Sequence, residues 1–419
     1  MNIQYLNSLE ENTLNINKNI KFLYLKKDKN NREIFIYKLN NVNCTGISLS
    51  YPNLLLHSKN KLYLPIKEKT MSLNQSTIYE NLDMKFNYIG KNNLNIINIP
   101  VFFFNYNLDN YYHFLYDALP NLYTYIFLKK NIPELKIIMY YPEQKNKFCN
   151  FIYEFLDLLN IKKDDILIFN ENNNYNTIYI TTSYTHDIDS NLPPRKEIFE
   201  IYNILRKNAL KLSNKITNYP EKIYVSRRTW IHNNLTNIGT NYTTRRKIMN
   251  EDELVLLLES KGYTEVFTEN LNTIEKINLF YNAKSIIGAI GGGIANVLFS
   301  QKKCQLIALI SPNFLDINNR FKFSLDNINT IYFKDCNHYE NTEFKKYMRI
   351  KINNSNIIGE IIDINNNILK INYTDGSNTG WNNNNKYNII EVNINNITRL
   401  DNGLNSAYLI NINNLINYL

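Results

Sequence analysis

Four groups of residues have the types and spacing that chemistry needs. His113 and Asp117 stand four apart in YYHFLYDALPNL, so on a helix they share a face. There a carboxylate can orient an imidazole, or act itself as a base toward a bound hydroxyl. In SIIGAIGGGIANVLFS an apolar strand runs into Gly291, Gly292 and Gly293 and then into a short helix. Glycines let backbone N–H groups approach an anion closely and a helix N-terminus adds positive potential, so a phosphate or diphosphate suits this turn. The turn is not the GxGxxG dinucleotide fingerprint, because no acidic residue follows a strand about twenty positions on, and it lacks the GK[ST] of a P-loop.

Arginine placement points the same way. Arg227 and Arg228 close the strand-like KIYVSRR, and Arg245 and Arg246 sit in TTRRK before the next helix. Guanidinium forks grip phosphate oxygens in pairs, and in an open α/β sheet the ends of the strands face the ligand. The alternative for each arginine is a solvated basic loop. Asp187 and Asp189 in THDIDS form a DxD that could hold a divalent cation against a diphosphate, with His186 beside it. No GxSxG elbow, HExxH or Cys/His pair is present.

The elements that must position these residues follow from periodicity. Residues 20–100 read as short β stretches such as REIFIYKL, NLLLHS and KLYLPI. A helix over 111–130 meets a kink at Pro120. KIIMYY, DILIFN and TIYITTS read as strands, and FCNFIYEFLDLLN and LPPRKEIFEIYNILRKNALKL as amphipathic helices. After a linker near 214–220, KIYV, YTEVFT, SIIGAI and CQLIALI alternate with helices over 250–262 and 273–284. Asn250 is placed to cap the first of these and Gly262 to end it. Strands alternating with helices predict a doubly wound parallel sheet. Beyond residue 345, RIKINN, IIGEIID, ILKINY and IIEVNI predict a small antiparallel β module, followed by a helix over 405–418. The expected domains are 1–213, 214–345, 346–400 and a C-terminal helix in 401–419.

The chain has 419 residues, enough for two large domains, and its 44% hydrophobic content supplies a core that a disordered chain lacks. Its formal charge of +9 favours anionic partners, but the lysines are spread rather than clustered with aromatics, so no nucleic-acid groove is expected. No stretch of about 18 apolar residues predicts a transmembrane helix. The first residues lack the apolar core of a secretory signal, which makes the cytoplasm the expected location. Cys44, Cys149, Cys304 and Cys336 lie far apart without metal-ligand spacing and are expected to be buried free thiols.

Taken in order, YYHFLYDALPNL, YVSRR, RRKIMNEDEL, TIEKINLFYNAKSIIG and GGGIANVLF resemble the blocks of glycosyltransferase family 61, over about residues 100–315. That family includes plant β-1,2-xylosyltransferases and animal O-linked N-acetylglucosaminyltransferases. The resemblance implies a GT-B fold of two facing Rossmann-like domains, to which the strand pattern beyond residue 345 adds a small C-terminal β-rich appendage with no counterpart in the family. It implies inverting transfer of N-acetylglucosamine or xylose from a UDP-sugar to a glycan or protein hydroxyl, with no required metal. Carried over by position, Ser226, Arg227 and Arg245 contact the donor diphosphate, and the placement of Arg228 and Arg246 beside them makes these further donor-binding candidates. Gly292, Gly293 and Asn296 shape the donor pocket, with Gly291 of the same turn a further donor-binding candidate, and Asp117 or His113 is the base or its orienting group. Two positions depart from the family pattern: Ile290 stands where a histidine is common, and Leu309 where the closing strand often ends in a glutamate. The rival readings are a metal-dependent GT-A-like transferase built on Asp187 and Asp189, and a non-catalytic glycan- or polyanion-binding protein.

Overall fold

The structure, a computed structural model, describes residues 2–5, 20–27, 33–46, 54–58, 61–64, 95–104, 108, 110–139, 148–170, 172–181, 184, 195, 197–213, 218–228, 248–312, 321, 330–338, 344, 348–355, 357–374, 388–399 and 407–419. The chain divides into two compact units. The first comprises Met1–Phe148 and Phe155–Leu205, and the second Cys149–Glu154 and Arg206–Leu419.

In the first unit the described residues form one mixed sheet. Its strands are β1 (Asn2–Tyr5), β2 (Ile20–Lys27), β3 (Glu33–Gly46), β4 (Leu54–Ser58), β5 (Lys61–Leu64), β6 (Asn95–Ile97), β7 (Val101–Phe103), β8 (Lys136–Met139), β9 (Ile166–Ile168) and β10 (Asn173–Thr181). The order is β1-β5-β4-β3-β10-β7-β8-β9, with β2 on β3 and β6 on β10. The half made of β10, β7, β8 and β9 is parallel, and β3 joins it antiparallel along β10. Val101, Phe102, Ile137, Ile138 and Ile178 are all buried, as strands covered on both faces require. The β-rich opening segment is thus continuous with the parallel sheet.

Directly after β7 comes the segment that carries His113 and Asp117. The predicted single helix is four short pieces: an α-turn Tyr111–His113, a π-segment Phe114–Ala118, a 3-10 turn Leu119–Asn121 and an α-helix Leu122–Lys129. Pro120 is the physical cause of the change in winding. It has no N–H to continue the regular ladder, and the turn widens just before it, where the Leu119 N–H reaches back to the Phe114 carbonyl. The Asn121 side-chain amide donates to the Asp117 carbonyl at 3.0 Å.

The second unit holds a parallel sheet of β11 (Lys222–Val225), β12 (Thr264–Val266), β13 (Ser285–Ala289), β14 (Gln305–Leu309) and β15 (Thr330–Phe333), in the order β12-β11-β13-β14-β15. The helices Glu251–Ser260 and Thr273–Asn282 are connections between its strands. The second begins with a capping box in which the Asn272 side chain accepts from the Glu275 N–H and the Glu275 carboxylate accepts from the Asn272 N–H. Asn250 does not cap the first helix as predicted. Its side chain is taken up by the backbone of Ile410, donating to the carbonyl at 2.8 Å and accepting from the N–H at 3.0 Å. Gly262 ends that helix with φ of 82°, a left-handed position that favours glycine.

The remaining described strands of this unit are β16 (Cys336–His338), β17 (Arg349–Ile352), β18 (Ile358–Asn365), β19 (Ile368–Thr374), β20 (Asn388–Asn393), β21 (Ile397–Arg399) and β22 (Tyr408–Ile410). Strands β17 to β21 form an antiparallel sheet, ordered β20-β19-β18-β17-β21, over Met348, Ile350, Ile361, Leu369 and Ile371. The helix expected over 405–418 is confined to Ile412–Leu415 and a 3-10 turn Ile416–Tyr418. Residues 408–410 instead pair antiparallel with β16, because Tyr408 and Ile410 alternate into the core around Leu309 and Phe333, a period of two that no helix provides. Among the described residues, no helix is long and apolar enough to cross a membrane.

Candidate functional site

In the second unit the strand order reverses at β11, with β12 on one side and β13 on the other. Open α/β sheets bind ligands at the carboxyl ends of the strands at such a switch point. Ser226, Arg227 and Arg228 follow β11, and Ile290 and the three glycines follow β13.

The structure brings Arg227 and the glycine turn together. A Cβ built on Gly291 would stand 3.2 Å from Arg227 Nη1, so the absence of a side chain lets the guanidinium lie against the backbone. Gly293 has the same relation to β11: a Cβ there would meet Val225 Cγ1 at 2.8 Å. Gly288 went unnoticed in the sequence, yet a Cβ on it would come within 2.5 Å of Ile294 Cγ2 and 3.0 Å of Val225 Cβ. Buried Asn296 donates its amide to the Gly293 carbonyl at 3.0 Å and so shapes the turn from behind. The expected helix after the glycines is a six-residue 3-10 segment, Ile294–Phe299. So short a segment adds little dipole, and the positive charge at the turn is that of Arg227.

A buried carboxylate fixes the backbone that carries Arg227. Glu251 Oε1 accepts from the Tyr224 hydroxyl at 2.8 Å, the Ser226 hydroxyl at 3.2 Å and the Arg227 N–H at 2.9 Å. Burial, with Glu251 beside it, pushes the Tyr224 phenol well above its usual range. Acidic residues in a first helical turn read from sequence as helix-dipole partners, and this tertiary role had no signal there. Ser226 is itself buried, and its hydroxyl accepts from the Arg228 N–H at 3.0 Å. The Arg228 fork is bidentate on Glu265, at 2.9 and 2.6 Å, and its third nitrogen donates to Asp252 at 2.6 Å. Ser226 and Arg228 thus brace the turn.

Glu269, in the 3-10 turn Thr268–Asn270 beyond β12, was also missed. Its Oε1 is buried without a hydrogen-bond partner among the described residues. Burial pushes the carboxyl up to about 7, against the opposing pull of Lys276 and Arg227, while Glu251 adds to the rise. Burial also lowers the Lys276 ammonium, countered by Glu154, Glu269 and Glu275.

In the first unit, His113 Nδ1 and Asp117 Oδ2 are 2.6 Å apart. Their exposures differ decisively: the His113 side chain is 40% accessible and that of Asp117 1%. Asn110 accepts from the His113 N–H at 3.3 Å and starts the turn, and the Tyr112 ring packs edge-on against the imidazole at 5.3 Å. With Asp117 holding Nδ1–H, the outer nitrogen Nε2 is the one left to accept a proton.

Arg245, Arg246, His186, Asp187 and Asp189 lie outside the described residues. Among the described residues no three His, Cys, Asp or Glu side chains cluster as metal ligands. Cys149, Cys304 and Cys336 are buried free thiols, and burial pushes the last two up to about 12. The two positions that depart from the family pattern are core positions: Ile290 and Leu309 are buried, and the Ile290 N–H donates to the Leu309 carbonyl at 3.0 Å.

Residues 111–307, which contain the His113–Asp117 pair, the Arg227 turn and the glycines, match the family described as Glycosyltransferase 61. The protein is a glycosyltransferase, an enzyme that passes a sugar from a donor to an acceptor. The match falls on the same family that the order of the motifs implies. No curated protein matches the chain.

Proposed function

We propose that this glycosyltransferase is an inverting enzyme of GT-B type that moves a sugar, N-acetylglucosamine or xylose, from a UDP-sugar to a hydroxyl of a glycan or protein. The observation that carries the donor half is the Arg227 guanidinium lying against Gly291 at the strand-order switch. A cation beside a bare backbone turn suits a diphosphate. Arg227 and the Gly291–Gly293 backbone hold the donor, Ser226, Arg228 and Asn296 keep the turn in shape, and Arg245 and Arg246, which lie outside the described residues, add charge to the donor site.

The acceptor half rests on the His113–Asp117 pair. The acceptor oxygen attacks the anomeric carbon on the face opposite the diphosphate, giving its proton to His113 Nε2 as the bond to the leaving oxygen breaks. Asp117 keeps the imidazole oriented and stabilises the imidazolium that forms. Arg227 meets the charge that grows on the departing diphosphate. This scheme needs no metal. The alternative, a transferase dependent on a divalent cation at Asp187 and Asp189, predicts the opposite response to chelation.

Thermal unfolding with UDP, GDP, CMP and UDP-sugars, with and without Mn²⁺, tests the reading. A ligand at about 100 times its Kd stabilises by about 2.7 kcal/mol. A shift with UDP-sugars that survives EDTA is the expected result. No shift with any nucleotide defeats the donor assignment, and a shift seen only with Mn²⁺ selects the metal-dependent alternative.

A further inference from the structure

The π-segment Phe114–Ala118 lies between the two side chains of the transfer scheme: it opens one residue after His113 and closes one residue after Asp117. Such a widened turn changes which backbone groups are paired. In a regular helix the Leu119 N–H would go to the Leu115 carbonyl, and here it goes to Phe114. Carried one residue further, the wider ladder would give Leu115 the N–H of residue 120, but that residue is Pro120, which has none. The Leu115 carbonyl thus loses both its regular and its wider-ladder donor at a buried position, where an unpaired carbonyl is costly. A side chain from another element fills the place. The Tyr202 hydroxyl, on the helix Glu197–Leu212 and 87 positions along the chain, donates to the Leu115 carbonyl at 2.7 Å, and both residues are buried.

We propose that Tyr202 is a positioning residue for the transfer reaction: by taking the carbonyl that the π-winding leaves unpaired, it holds the winding that sets Asp117 against His113. The inference rests on the reading of His113 as the base and adds to it a residue that acts through the backbone. Without the hydroxyl, the Leu115 carbonyl is paired again if the Leu119 N–H returns to it, which restores regular winding over these residues. That change turns Asp117 about the helix axis relative to His113. The contact at stake is short and directional, with Nδ1 and Oδ2 2.6 Å apart. Once it opens, nothing selects the imidazole form in which Nε2 is the bare nitrogen. The Asn121 amide, which donates to the Asp117 carbonyl from four residues away, cannot replace Tyr202, because it moves with the segment it braces. Tyr202 stands on a separate helix and fixes the segment against the body of the first unit.

The test compares the full chain with its Tyr202→Phe, Tyr125→Phe and His113→Ala variants. Tyr125 is the matched control: its hydroxyl also donates to a buried backbone carbonyl, that of Leu135 at 3.4 Å, from the regular helix beyond Pro120. The readouts are the nitrogen NMR signals of the His113 imidazole, identified by their loss in His113→Ala, and the release of UDP from UDP-N-acetylglucosamine and UDP-xylose, with UDP affinity measured by calorimetry. Tyr202→Phe should move His113 from the Nδ1–H form toward the mixture of a free imidazole. It should also lower kcat about tenfold, part of the roughly 10²- to 10⁴-fold that a base supplies, with UDP affinity unchanged. Tyr125→Phe should keep the native imidazole signals and kcat. Native signals in Tyr202→Phe overturn the proposal, whatever the rate does. So does an equal change in both tyrosine variants, or a Tyr202→Phe chain that fails to fold, since each makes the hydroxyl a general structural support. If neither donor is turned over, the imidazole signals alone decide. If His113→Ala releases UDP at the native rate, the acceptor reading falls and takes the inference with it, whereas native signals in Tyr202→Phe beside an inactive His113→Ala sink the inference alone.

Discussion

His113 and Asp117 meet through one hydrogen bond, with the acid buried and the imidazole open to solvent. The strand edge of the second unit is built the other way. There Glu251 gathers three donors on one oxygen and Arg228 is shared between two carboxylates, so losing any single bond leaves others in place. The contrast separates two kinds of charged residue. A group with several partners holds a backbone in position, whereas a group with one partner and an open side has capacity left for a substrate. By that criterion Ser226, Arg228 and Glu251 belong with the frame, and His113 has the open side that the proposed transfer scheme asks of its base.

The sharpest way to break this distinction is at His113. His113→Ala should lower kcat by about 10²- to 10⁴-fold, the usual contribution of a general base, and leave nucleotide affinity unchanged. Turnover close to the native rate, measured under saturating donor, would remove His113 as the base.

The next effect concerns Glu269, the acid at the frame's border. Its carboxyl titrates near 7 in the folded chain and near its ordinary value of 4.5 when unfolded. Because the folded value is the higher one, the folded state binds the extra proton. Stability is therefore greatest below about 4.5 as far as this group is concerned, and it falls as pH rises to about 7. The size is on the order of 3 kcal/mol before allowance for screening and relaxation. Comparing unfolding of the native chain and Glu269→Gln from pH 5 to 8 isolates it. Parallel curves would show that the carboxyl does not carry the linkage.

The smallest effects come from the paired arginines, which should respond in opposite ways. Arg227→Ala should weaken nucleotide binding about tenfold at little cost to folding, the loss of a charge-assisted bond. Arg228→Met should cost ~2 kcal/mol of stability by stranding Glu265, with nucleotide affinity little changed. The same response from both, by calorimetry and by thermal unfolding, would erase the difference between frame and site.

The parallel sheet around β13 and β14 was legible because SIIGAI and CQLIALI are continuous apolar runs bounded by turns, as strands buried on both faces must be. The His113–Asp117 pair was legible for a local reason: four residues along a helix is a contact distance. What the sequence hid were partners set by tertiary packing. Glu251 lies 25 positions from Ser226, and only the sheet brings them together. Glu269 was hidden because TEVFT reads as one strand, while the chain leaves the strand at Val266 and turns. Asn250 had the right type and place for a cap, and a distant backbone competed successfully for its amide.

That last contact has a consequence for how the second unit is made. The Asn250 side chain grips both polar groups of Ile410, the Met249 N–H donates to the Tyr408 carbonyl at 2.9 Å, and Ile248 bridges Tyr408 in parallel. These bonds join positions about 160 residues apart at the foot of the helix that carries Glu251. During synthesis, at about 5–20 residues per second, that foot has no partner for roughly 8–32 s after it emerges. The Arg227 turn is therefore finished late, and a chain stopped short of Tyr408 would carry the whole family segment, residues 111–307, with the strand edge that bears Arg227 still unfastened.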